Sequence, residues 1–465
     1  MIKEKEIKNI YSHLKNYGFI ISSSEIYQGF SNSWDLGING TAMKMNLEKI
    51  WKKYFISSRP NIFFFDSSIL TNPKVLEASG HLKKFHDWTI DCLNCQKRYR
   101  LDQIISEKKF ENFLKIENKD NYLINKICFC GNKKFSIPKK FNLLLKTNLE
   151  LTDKKEKIAY LRPETCQGIF INFFFIKKTI RNKFPFGIGQ IGKSFRKEIT
   201  LNHGIYRTIE FRQMELEFFC EKKEINKWWK IWNEDSWKFI NKIIKNNSKK
   251  IKKKLINDEN LPHYSKKTLD FYFNYNFGWG ELCSISDRGN FDLKEHSNYS
   301  GFFLGIKKNN ENIDLNIIEL SFGVERIMLA ILEDSYYEEY SEKLKKKRCF
   351  LKINPLLSPY FLAIIPINKK MEDFAYLLYL KLIKKFDFNV FFENSNSIGK
   401  SYHYQDSMGT FFCLTVDFNY FDKKIVTCRE RDSTEQIILE EKNIINYFNN
   451  KYLNFLDEFL NFEKK

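Results

Sequence analysis

Apolar and polar residues alternate with a period of two in the second half of the segment from Gly187 to Phe219, which predicts a β-strand. The strand would carry Met214, Leu216 and Phe218 on one face, and Arg207, Phe211, Glu215 and Glu217 on the other. An arginine, an aromatic ring and carboxylates suit the binding of phosphate, a purine and an ammonium group. An amphipathic strand with a solvated charged face has the same period, so the alternation alone leaves both interpretations open.

A second strand is predicted just upstream, and it ends in the sequence Phe195-Arg196-Lys197-Glu198. Residues 199–204, which follow, form a polar turn that contains Asn202 and Gly204. Two strands joined by such a turn predict a β-hairpin.

Apolar residues at helical spacing predict helices in three further regions. Residues 1 to 20 are expected to be helical as far as Gly18. The span 222–262 is expected to be a helix followed by a basic, low-complexity loop, and it has tryptophans at 228, 229, 232 and 237 that suit a core better than a ligand site. Near the C-terminus, the helix EDFAYLLYLKLIKKF between the strands FLAIIPI and FNVFFE predicts an α/β unit with parallel pairing.

The sequence IIELSFGVERIMLAIL predicts a buried strand that runs directly into a helix. The strand carries Glu319, Ser321 and Gly323, and the helix begins near Val324 with Arg326 in its first turn. Charged side chains are rarely buried without a partner, so this junction is a candidate ligand site.

The glycines near position 190 match two nucleotide-binding patterns that we reject. Gly187, Gly192, Lys193 and Ser194 satisfy the P-loop pattern, and Gly187, Gly189 and Gly192 satisfy GxGxxG. Both patterns require a helix directly after the glycines, whereas FRKEI and a turn follow here.

The composition indicates a globular protein with two or three domains, because the chain has 465 residues and is 43% hydrophobic. A net charge of +20 suits a polyanionic partner such as nucleic acid. A codon bias that enriches Lys, Asn, Ile and Phe together would produce the same charge, so the two explanations stand side by side. The N-terminal segment has no apolar signal-peptide core and no window is long enough to span a membrane, which favours a cytoplasmic protein.

Ten cysteines in a chain of this length indicate reduced thiols rather than a disulfide framework. Cys92 and Cys95 have CxxC spacing, and Cys128 and Cys130 have CxC spacing. The four thiols could bind tetrahedral zinc or remain unligated, since the second pair is one residue shorter than a usual zinc knuckle.

Several phrases together carry a resemblance to a known family. FRKE at 195–198 and EFRQME at 210–215 are similar to motif 2 of class II aminoacyl-tRNA synthetases, and more closely to the wording of bacterial-type glycyl-tRNA synthetases. DSSILTNPKVLEASGHLKKFHD resembles motif 1, which builds the dimer interface around a strand ending in proline, here Pro73. LRPETCQGIF and FGWGEL resemble two further family phrases, and the junction at Arg326 resembles motif 3.

The resemblance implies an α/β (α+β) fold, in which a class II antiparallel sheet flanked by helices precedes an α/β anticodon-binding domain. The implied catalytic domain covers residues 1–345, with an insertion at about 92–150 and a basic insertion at about 222–262. A linker at 346–359 would lead to the anticodon-binding domain at 360–465.

The implied reaction joins glycine to ATP as glycyl-adenylate and then transfers glycine to the 3′ end of its tRNA, with Mg²⁺ accompanying ATP. The resemblance assigns catalysis to Arg196, Glu198 and Arg326. It assigns ATP binding to Arg196, Lys197, Glu198, Tyr206, Arg207, Phe211, Glu281, Leu282, Gly323 and Arg326, with Arg288 nearby. It assigns glycine binding to Arg100, Glu164, Phe211, Gln213, Glu215, Glu319, Ser321 and Gly323.

The chain departs from the family pattern in several places. Leu320 stands where proline is common, and Glu325 replaces an aspartate, without loss of charge. The anticodon-domain phrase has lost arginines and an acid, so anticodon reading is less secure than the chemistry; the altered positions are Ser401, His403, Tyr404, Ser407 and Phe411. Two alternatives stay open: another class IIa synthetase, and a non-catalytic accessory subunit that binds nucleic acid, although such a subunit need not keep Arg196, Arg207 and Arg326.

Overall fold

The computed structural model describes residues 2–29, 33–116, 126–149, 157–181, 184–199, 203–257, 259, 261–308, 310–341, 346–394 and 397–461. Asn202 of the predicted turn lies outside these residues. Among them, no helix combines the length and the apolar character needed to cross a bilayer.

Fifteen α-helices are described in these ranges of the chain. They are α1 (Ile2–Asn16), α2 (Ile38–Trp51), α3 (Pro73–Ala78), α4 (His81–Lys84), α5 (Leu101–Ile104), α6 (Glu107–Lys115), α7 (Cys166–Ile171), α8 (Phe173–Thr179), α9 (Ile225–Ile243), α10 (Phe291–Ser300), α11 (Val324–Ser335), α12 (Glu372–Ile383), α13 (Ile398–Met408), α14 (Asn419–Lys423) and α15 (Glu441–Leu460).

The described strands are short at both ends of the chain and long in its centre. They are β1 (Ile20–Ser22), β2 (Trp34–Leu36), β3 (Ile62–Phe64), β4 (Leu70–Thr71), β5 (His86–Asp91), β6 (Arg98–Arg100), β7 (Lys139–Asn142), β8 (Leu145–Asn148), β9 (Ile158–Leu161), β10 (Phe186–Phe195), β11 (Glu210–Cys220), β12 (Ile251–Leu255), β13 (Lys267–Tyr275), β14 (Gly278–Gly289), β15 (Ile306–Lys308), β16 (Glu311–Ile313), β17 (Asn316–Gly323), β18 (Tyr336–Ser341), β19 (Lys346–Leu351), β20 (Leu362–Pro366), β21 (Val390–Phe392), β22 (Phe412–Val416), β23 (Ile425–Glu430) and β24 (Gln436–Glu440).

A seven-stranded sheet in the order β12-β13-β14-β17-β11-β10-β3 forms the centre of the molecule. Its pairs are antiparallel except that of β10 with β3. Met214, Leu216 and Phe218 of β11 are fully buried and pack into the main hydrophobic core with α2, α9 and α11. The predicted alternation is confirmed, since one face of β11 packs on helices and the other is free to carry a site.

The C-terminal residues form a second sheet, in the order β21-β20-β22-β23-β24. Strand β20 pairs in parallel with β21 and β22, as the α/β pattern predicted, while β23 and β24 add antiparallel strands. Buried residues of this domain, such as Leu362 and Phe412, belong to the same hydrophobic cluster as those of the central sheet.

Three sequence-based expectations about elements need correction. The basic segment after α9 is not a loop, because Ile251–Leu255 forms edge strand β12 and pairs with β13. The start of the expected linker is also a strand, since Lys346–Leu351 pairs with Tyr336–Ser341 as a hairpin. Pro73 does not end a strand: it occupies the first turn of α3, and the side chain of Asn72 caps that helix.

Candidate functional site

A cavity of about 480 Å³ opens on the face of the central sheet opposite the main core. Strands β11, β14 and β17 form its floor, and the loop between β10 and β11 forms one wall. The predicted residues that line it are Glu164, Arg196, Glu198, Tyr206, Arg207, Phe211, Gln213, Glu215, Glu281, Glu319, Ser321, Gly323 and Arg326. The tertiary structure therefore gathers into one place residues that lie up to 162 positions apart, from Glu164 to Arg326.

Arg196 lies where the hairpin leaves β10, and backbone bonds hold it there. Its N–H donates to the carbonyl of Ile209, and its Nε donates to the carbonyl of Pro163 at 2.9 Å. The guanidinium carbon lies 5.3 Å from the centre of the Phe211 ring. A cation beside an aromatic ring on a cavity wall can neutralise a phosphate while the ring stacks on a base.

The loop between β10 and β11 also presents Arg207 and Glu198 to the cavity. Their closest charged atoms, Nε of Arg207 and Oε2 of Glu198, are 3.7 Å apart and form a loose ion pair. Both atoms are buried and neither has a hydrogen-bond partner among the described residues. Buried polar groups are costly when unpaired, so these two are available to a ligand.

Arg326 enters the cavity from the first turn of α11, as the sequence predicted. Its NH1 lies 3.2 Å from Oε1 of Glu281, and its guanidinium stacks 5.0 Å from the Tyr206 ring. Tyr206 also donates to the backbone carbonyl of Glu281. The arrangement holds a second cation at the cavity, with a carboxylate beside it that is suited to Mg²⁺.

The deep end of the cavity is acidic. Glu215 accepts hydrogen bonds from the backbone N–H and the hydroxyl of Thr165, from Ser321 Oγ at 2.8 Å and from Gln213 Nε2 at 2.7 Å. Glu164 accepts from the thiol of Cys166 and from Gln167. These carboxylates are 5% exposed or less, so they can recognise an ammonium group out of water.

Charges around these acids set their pKa values in opposite directions. Burial acts to raise the pKa of Glu164, but His81, together with Arg288 and Arg196, holds it well below its ordinary value. Burial and then the neighbouring Glu164 raise the pKa of Glu215. Burial also raises the pKa of Glu319, to about 8, against the attraction of Arg288.

The absence of a side chain at Gly192 is explained by packing and not by phosphate binding. A Cβ on Gly192 would lie 2.0 Å from NH2 of Arg162. Arg162 instead fits against the strand, where it donates to the carbonyls of Lys193 and Ser67. Gly192 therefore makes room for the Arg162 side chain, and this contact anchors the loop that carries Glu164. The glycine in the P-loop-like pattern does not need a phosphate to explain it.

Four residues expected near ATP or glycine do not line the cavity. Arg100 pairs with Asp102 at 2.8 Å and with Asp87 at 3.3 Å. The backbone of Lys197 bonds to Leu143, and the Leu282 side chain is fully buried in the core. Arg288 is also fully buried, where it holds Asp292 and Glu319 beneath the acidic end.

The cavity also contains residues that sequence reasoning missed. Lys254 and Asp270 face each other across β12 and β13, and Tyr264 lies over the guanidinium of Arg288 at 3.8 Å. Burial and then Glu281 raise the pKa of Asp270 to about 7. The sequence IKKKL at 251–255 contains no apolar–polar alternation, so the pattern along the chain offers no signal for Lys254.

The four cysteines of the two short motifs come together at one point. Sγ of Cys92 lies 3.6 Å from that of Cys130, and Sγ of Cys95 lies 3.5 Å from that of Cys128. A zinc ion with four sulfurs at 2.3 Å requires sulfur–sulfur distances of about 3.8 Å. Asn132 and Tyr99 place polar groups against the sulfurs, as outer partners of a metal site do. The cluster therefore fits zinc.

Several side chains at the altered positions of the C-terminal domain are buried or hydrogen-bonded within the protein. The Ser407 hydroxyl donates to the carbonyl of Cys349, and Nε2 of His13 bonds to the Ser407 carbonyl at 2.9 Å. Phe411 and Ser401 are buried, whereas Tyr404 is 41% exposed. The ring of Tyr404 packs near Tyr17, so this helix also joins the N-terminal helix.

Two segments of the chain match known protein families. Residues 130–335 match the model of the tRNA synthetase class II core domain (G, H, P, S and T), and residues 362–451 match that of an anticodon binding domain. A solved prolyl-tRNA synthetase from Cryptosporidium parvum, complexed with halofuginone and AMPPNP, shares the fold with a TM-score of 0.59 at 12% identity, over 97% of this chain and 78% of its own. Fold and site thus define a class II tRNA synthetase.

Relatives with high sequence identity identify the amino acid for which the family is named. A glycine–tRNA ligase from Mycoplasma capricolum subsp. capricolum is 44% identical over 458 residues, which cover 95% of this chain and 99% of the relative. One from Acetivibrio thermocellus is 41% identical over 463 residues, covering 97% and 99%. The chain belongs to the glycine–tRNA ligase family.

Proposed function

We propose that this protein activates glycine with ATP to form glycyl-adenylate and transfers the glycyl group to the 3′ end of glycine tRNA. The observation that carries the proposal is the arrangement of charges in one cavity. Arg196 and Arg326 lie on its walls, and the buried acids Glu164, Glu215 and Glu319 lie at its deep end. Such a cavity complements a molecule with phosphates at one end and an ammonium group at the other.

ATP would lie with its adenine against Phe211 and its α-phosphate at Arg196. Arg207 and Arg326 would hold the outer phosphates, with Mg²⁺ bound beside Glu281 and Glu198 supporting Arg207. The glycine carboxylate would attack the α-phosphorus in line as pyrophosphate leaves. Catalysis would then consist of positioning and charge neutralisation, because the arginines favour the charge that develops on the phosphate oxygens.

Glycine would lie at the acidic end, with its ammonium group among Glu164, Glu215 and Glu319. Ser321 and Gln213 already hydrogen-bond Glu215 and would keep its carboxylate oriented. Selectivity for glycine requires steric exclusion of larger residues, since glycine has no side chain from which binding energy could come.

The partners of this reaction are part of the same proposal. We infer a cytoplasmic homodimer, in which β4 and the adjoining loop contribute to the interface. Support comes from Ile69 and Leu70, which are 36% and 46% exposed although both are large and apolar. Zinc held by Cys92, Cys95, Cys128 and Cys130 would fix the fold of the insertion, away from the reacting atoms.

Exchange of labelled pyrophosphate into ATP tests the proposal. Purified protein is incubated with ATP, Mg²⁺ and each of the twenty amino acids in turn, without tRNA. We expect exchange with glycine alone. Exchange with a different amino acid would keep the synthetase class and refute the specificity, and no exchange with any amino acid would favour a non-catalytic subunit.

A further inference from the structure

Strand β11 brings a second buried acid, Glu217, next to the acidic end of the cavity. It lies on the same face of the strand as Glu215 and directly opposite Glu319 of β17. Its side chain is fully buried, and neither carboxylate oxygen has a hydrogen-bond partner among the described residues. An ionised carboxylate without any hydrogen bond is among the most costly groups to bury.

In the part of the chain that the structure describes, no cation forms an ion pair with Glu217. Its titratable neighbours in the described part of the chain include Glu319 of β17, Glu215 of its own strand, Asp292 of α10 and Cys166 of α7. Among the described residues, the cation that acts on Glu217 most strongly is Arg288 of β14, and each of its three guanidinium nitrogens already bonds to another carboxylate. Nε and NH2 bond to Asp292 at 2.7 and 2.8 Å, and NH1 bonds to Glu319 at 2.9 Å.

A metal ion is a poorer explanation than a proton. One ligand atom from each of Cys166, Glu215, Glu217 and Glu319 lies within 4.8 Å of the others, which would suit an ion by spacing alone. The oxygens of Glu215 already accept four hydrogen bonds, and Glu319 already accepts from Arg288. An ion would have to break these bonds, whereas a proton on Glu217 breaks none.

We propose that Glu217 is a neutral carboxylic acid that positions Glu319: the pair holds one proton, which resides on Glu217 and is donated in a hydrogen bond to the Glu319 carboxylate. The raised pKa of Glu319, about 8, indicates that the pair holds a proton at neutral pH, and Arg288, whose guanidinium already bonds to Glu319, keeps the negative charge of the pair on Glu319. Burial and the nearby Glu319 raise the pKa of Glu217 well above its ordinary value, in agreement with this assignment. The pair titrates as a unit.

The proton has a consequence for the proposed substrate. With Glu217 neutral, the acidic end holds three carboxylates for one ammonium group, and Glu319 is held by bonds from two sides. Glu217 does not touch glycine, so it is a positioning residue. This role rests on the proposed function, because the ammonium group of glycine is the ligand that Glu319 would receive.

Two variants of the full-length protein test the role. Glu217→Gln keeps a neutral hydrogen-bond donor, and Glu217→Ala removes it. We expect Glu217→Ala to raise the KM for glycine about ten-fold in pyrophosphate exchange with little change in the KM for ATP, and Glu217→Gln to restore most of this loss. Equal impairment of the two variants would show that the negative charge is needed and would overturn the proposal.

Infrared spectroscopy detects the proton directly and does not depend on activity. The wild-type minus Glu217→Gln difference spectrum should contain the C=O band of a protonated carboxylic acid, and the band should shift in D₂O. Glu333→Gln, which removes another buried carboxyl that does not line the cavity, should leave the Glu217 band in place. Absence of the band from the difference spectrum would overturn the proposal, as would a stoichiometric metal ion other than zinc that Glu217→Gln loses.

The two measurements separate the two proposals. A wild-type protein without glycine-dependent exchange would refute the proposed function while the infrared band still decides where the proton resides. A wild-type protein that exchanges with glycine but lacks the band would refute the role of Glu217 alone.

Discussion

The proposed reaction divides the charged side chains of the cavity into those that would contact phosphate and those that would contact an ammonium group. Arg196 is the clearest member of the first group, because Pro163 and Ile209 fix it from two sides while its outer face stays open to the cavity. Glu164 is the clearest member of the second group, because its low pKa keeps it ionised in a buried site. The two residues therefore predict different kinetic effects.

Arg196→Ala removes the cation expected at the α-phosphate. We expect kcat for glycine-dependent pyrophosphate exchange to fall roughly a hundred-fold or more, as for loss of one donor that stabilises a transition state. Arg98→Ala is the control, since Arg98 forms an exposed pair with Asp91 outside the cavity and should retain activity. Activity of Arg196→Ala equal to that of the wild type would refute the assigned role.

Glu164→Gln keeps the shape of the side chain and removes its charge. The expected result is a rise in the KM for glycine of roughly ten- to a hundred-fold, the cost of one charged hydrogen bond, while the KM for ATP changes little. Steady-state exchange with each substrate varied in turn measures the split. A rise confined to the KM for ATP would refute the proposed contact between Glu164 and the glycine ammonium group.

Glu333 predicts a pH dependence of stability rather than of activity. Burial raises its pKa from 4.5 to about 7 in the folded chain. Because the folded state holds the proton more tightly, its contribution to stability is full below pH 4.5 and is lost as the pH rises through 7. Glu333→Gln should cancel on the order of 2 to 3 kcal/mol of this loss. Urea unfolding of both proteins at pH 4.5 and 7.5 measures it, and identical pH dependences would contradict the prediction.

At the scale of elements, the hairpin of β10 and β11 organises the site because β11 lies beside the central strand β17 and the loop of the hairpin carries Arg196, Glu198 and Arg207 to the cavity. The insertion that follows motif 1 is organised differently. Among the described residues, its core has three buried apolar side chains, Ile90, Leu101 and Phe113, on which partly buried residues such as Trp88 and Tyr99 pack. A structural metal is the usual means by which so small a unit becomes stable.

The cysteine cluster therefore predicts one zinc ion per chain. Metal analysis of purified protein should find one equivalent, and Cys95→Ser should lose it along with thermal stability of the insertion. Cys349→Ser is the matched control, because Cys349 lies in β19 outside the cluster and its loss should leave zinc in place. Wild-type protein with less than a tenth of an equivalent of zinc, purified without chelator, would show that the thiols are unligated.

At the scale of the whole molecule, the two domains share one hydrophobic core. Residues of α15, such as Phe459, contact Tyr54 and Phe239 of the catalytic domain. His13 of α1 bonds to the Ser407 carbonyl across 394 positions. The anticodon-binding domain is thus held against the catalytic domain by packing from both ends of the chain.

The exposed apolar residues near motif 1 predict a dimer. Sedimentation equilibrium should give twice the 55.9 kDa mass of one chain. Leu70→Glu should shift the equilibrium toward monomer, since it places a charge on the proposed contact surface. Ile438→Glu, at a residue that is 70% exposed on the edge strand β24, should leave the dimer intact. A monomeric wild type at micromolar concentration would contradict the prediction.

The sequence by itself determined the elements whose signal is local. The alternation around Met214 predicted the packed face of β11, and the junction at Gly323 and Val324 predicted where β17 ends and α11 begins. Period-two and helical patterns reflect which face of one element is buried. Predictions made from them are therefore correct wherever one face of the element is buried and the other is not. Family phrases such as RPET added the identities of residues that would meet a ligand.

Only the tertiary structure decided what depends on neighbours far away in the chain. The lysine run in β12 has no apolar signal, and it became a strand because β13 offered an open edge for pairing. Arg288 was expected near ATP and lies instead under three acids, and Glu217 looked like a binding residue but is enclosed beside Glu319. Charge state and accessibility are properties of an assembled environment, and no pattern along the chain contains them.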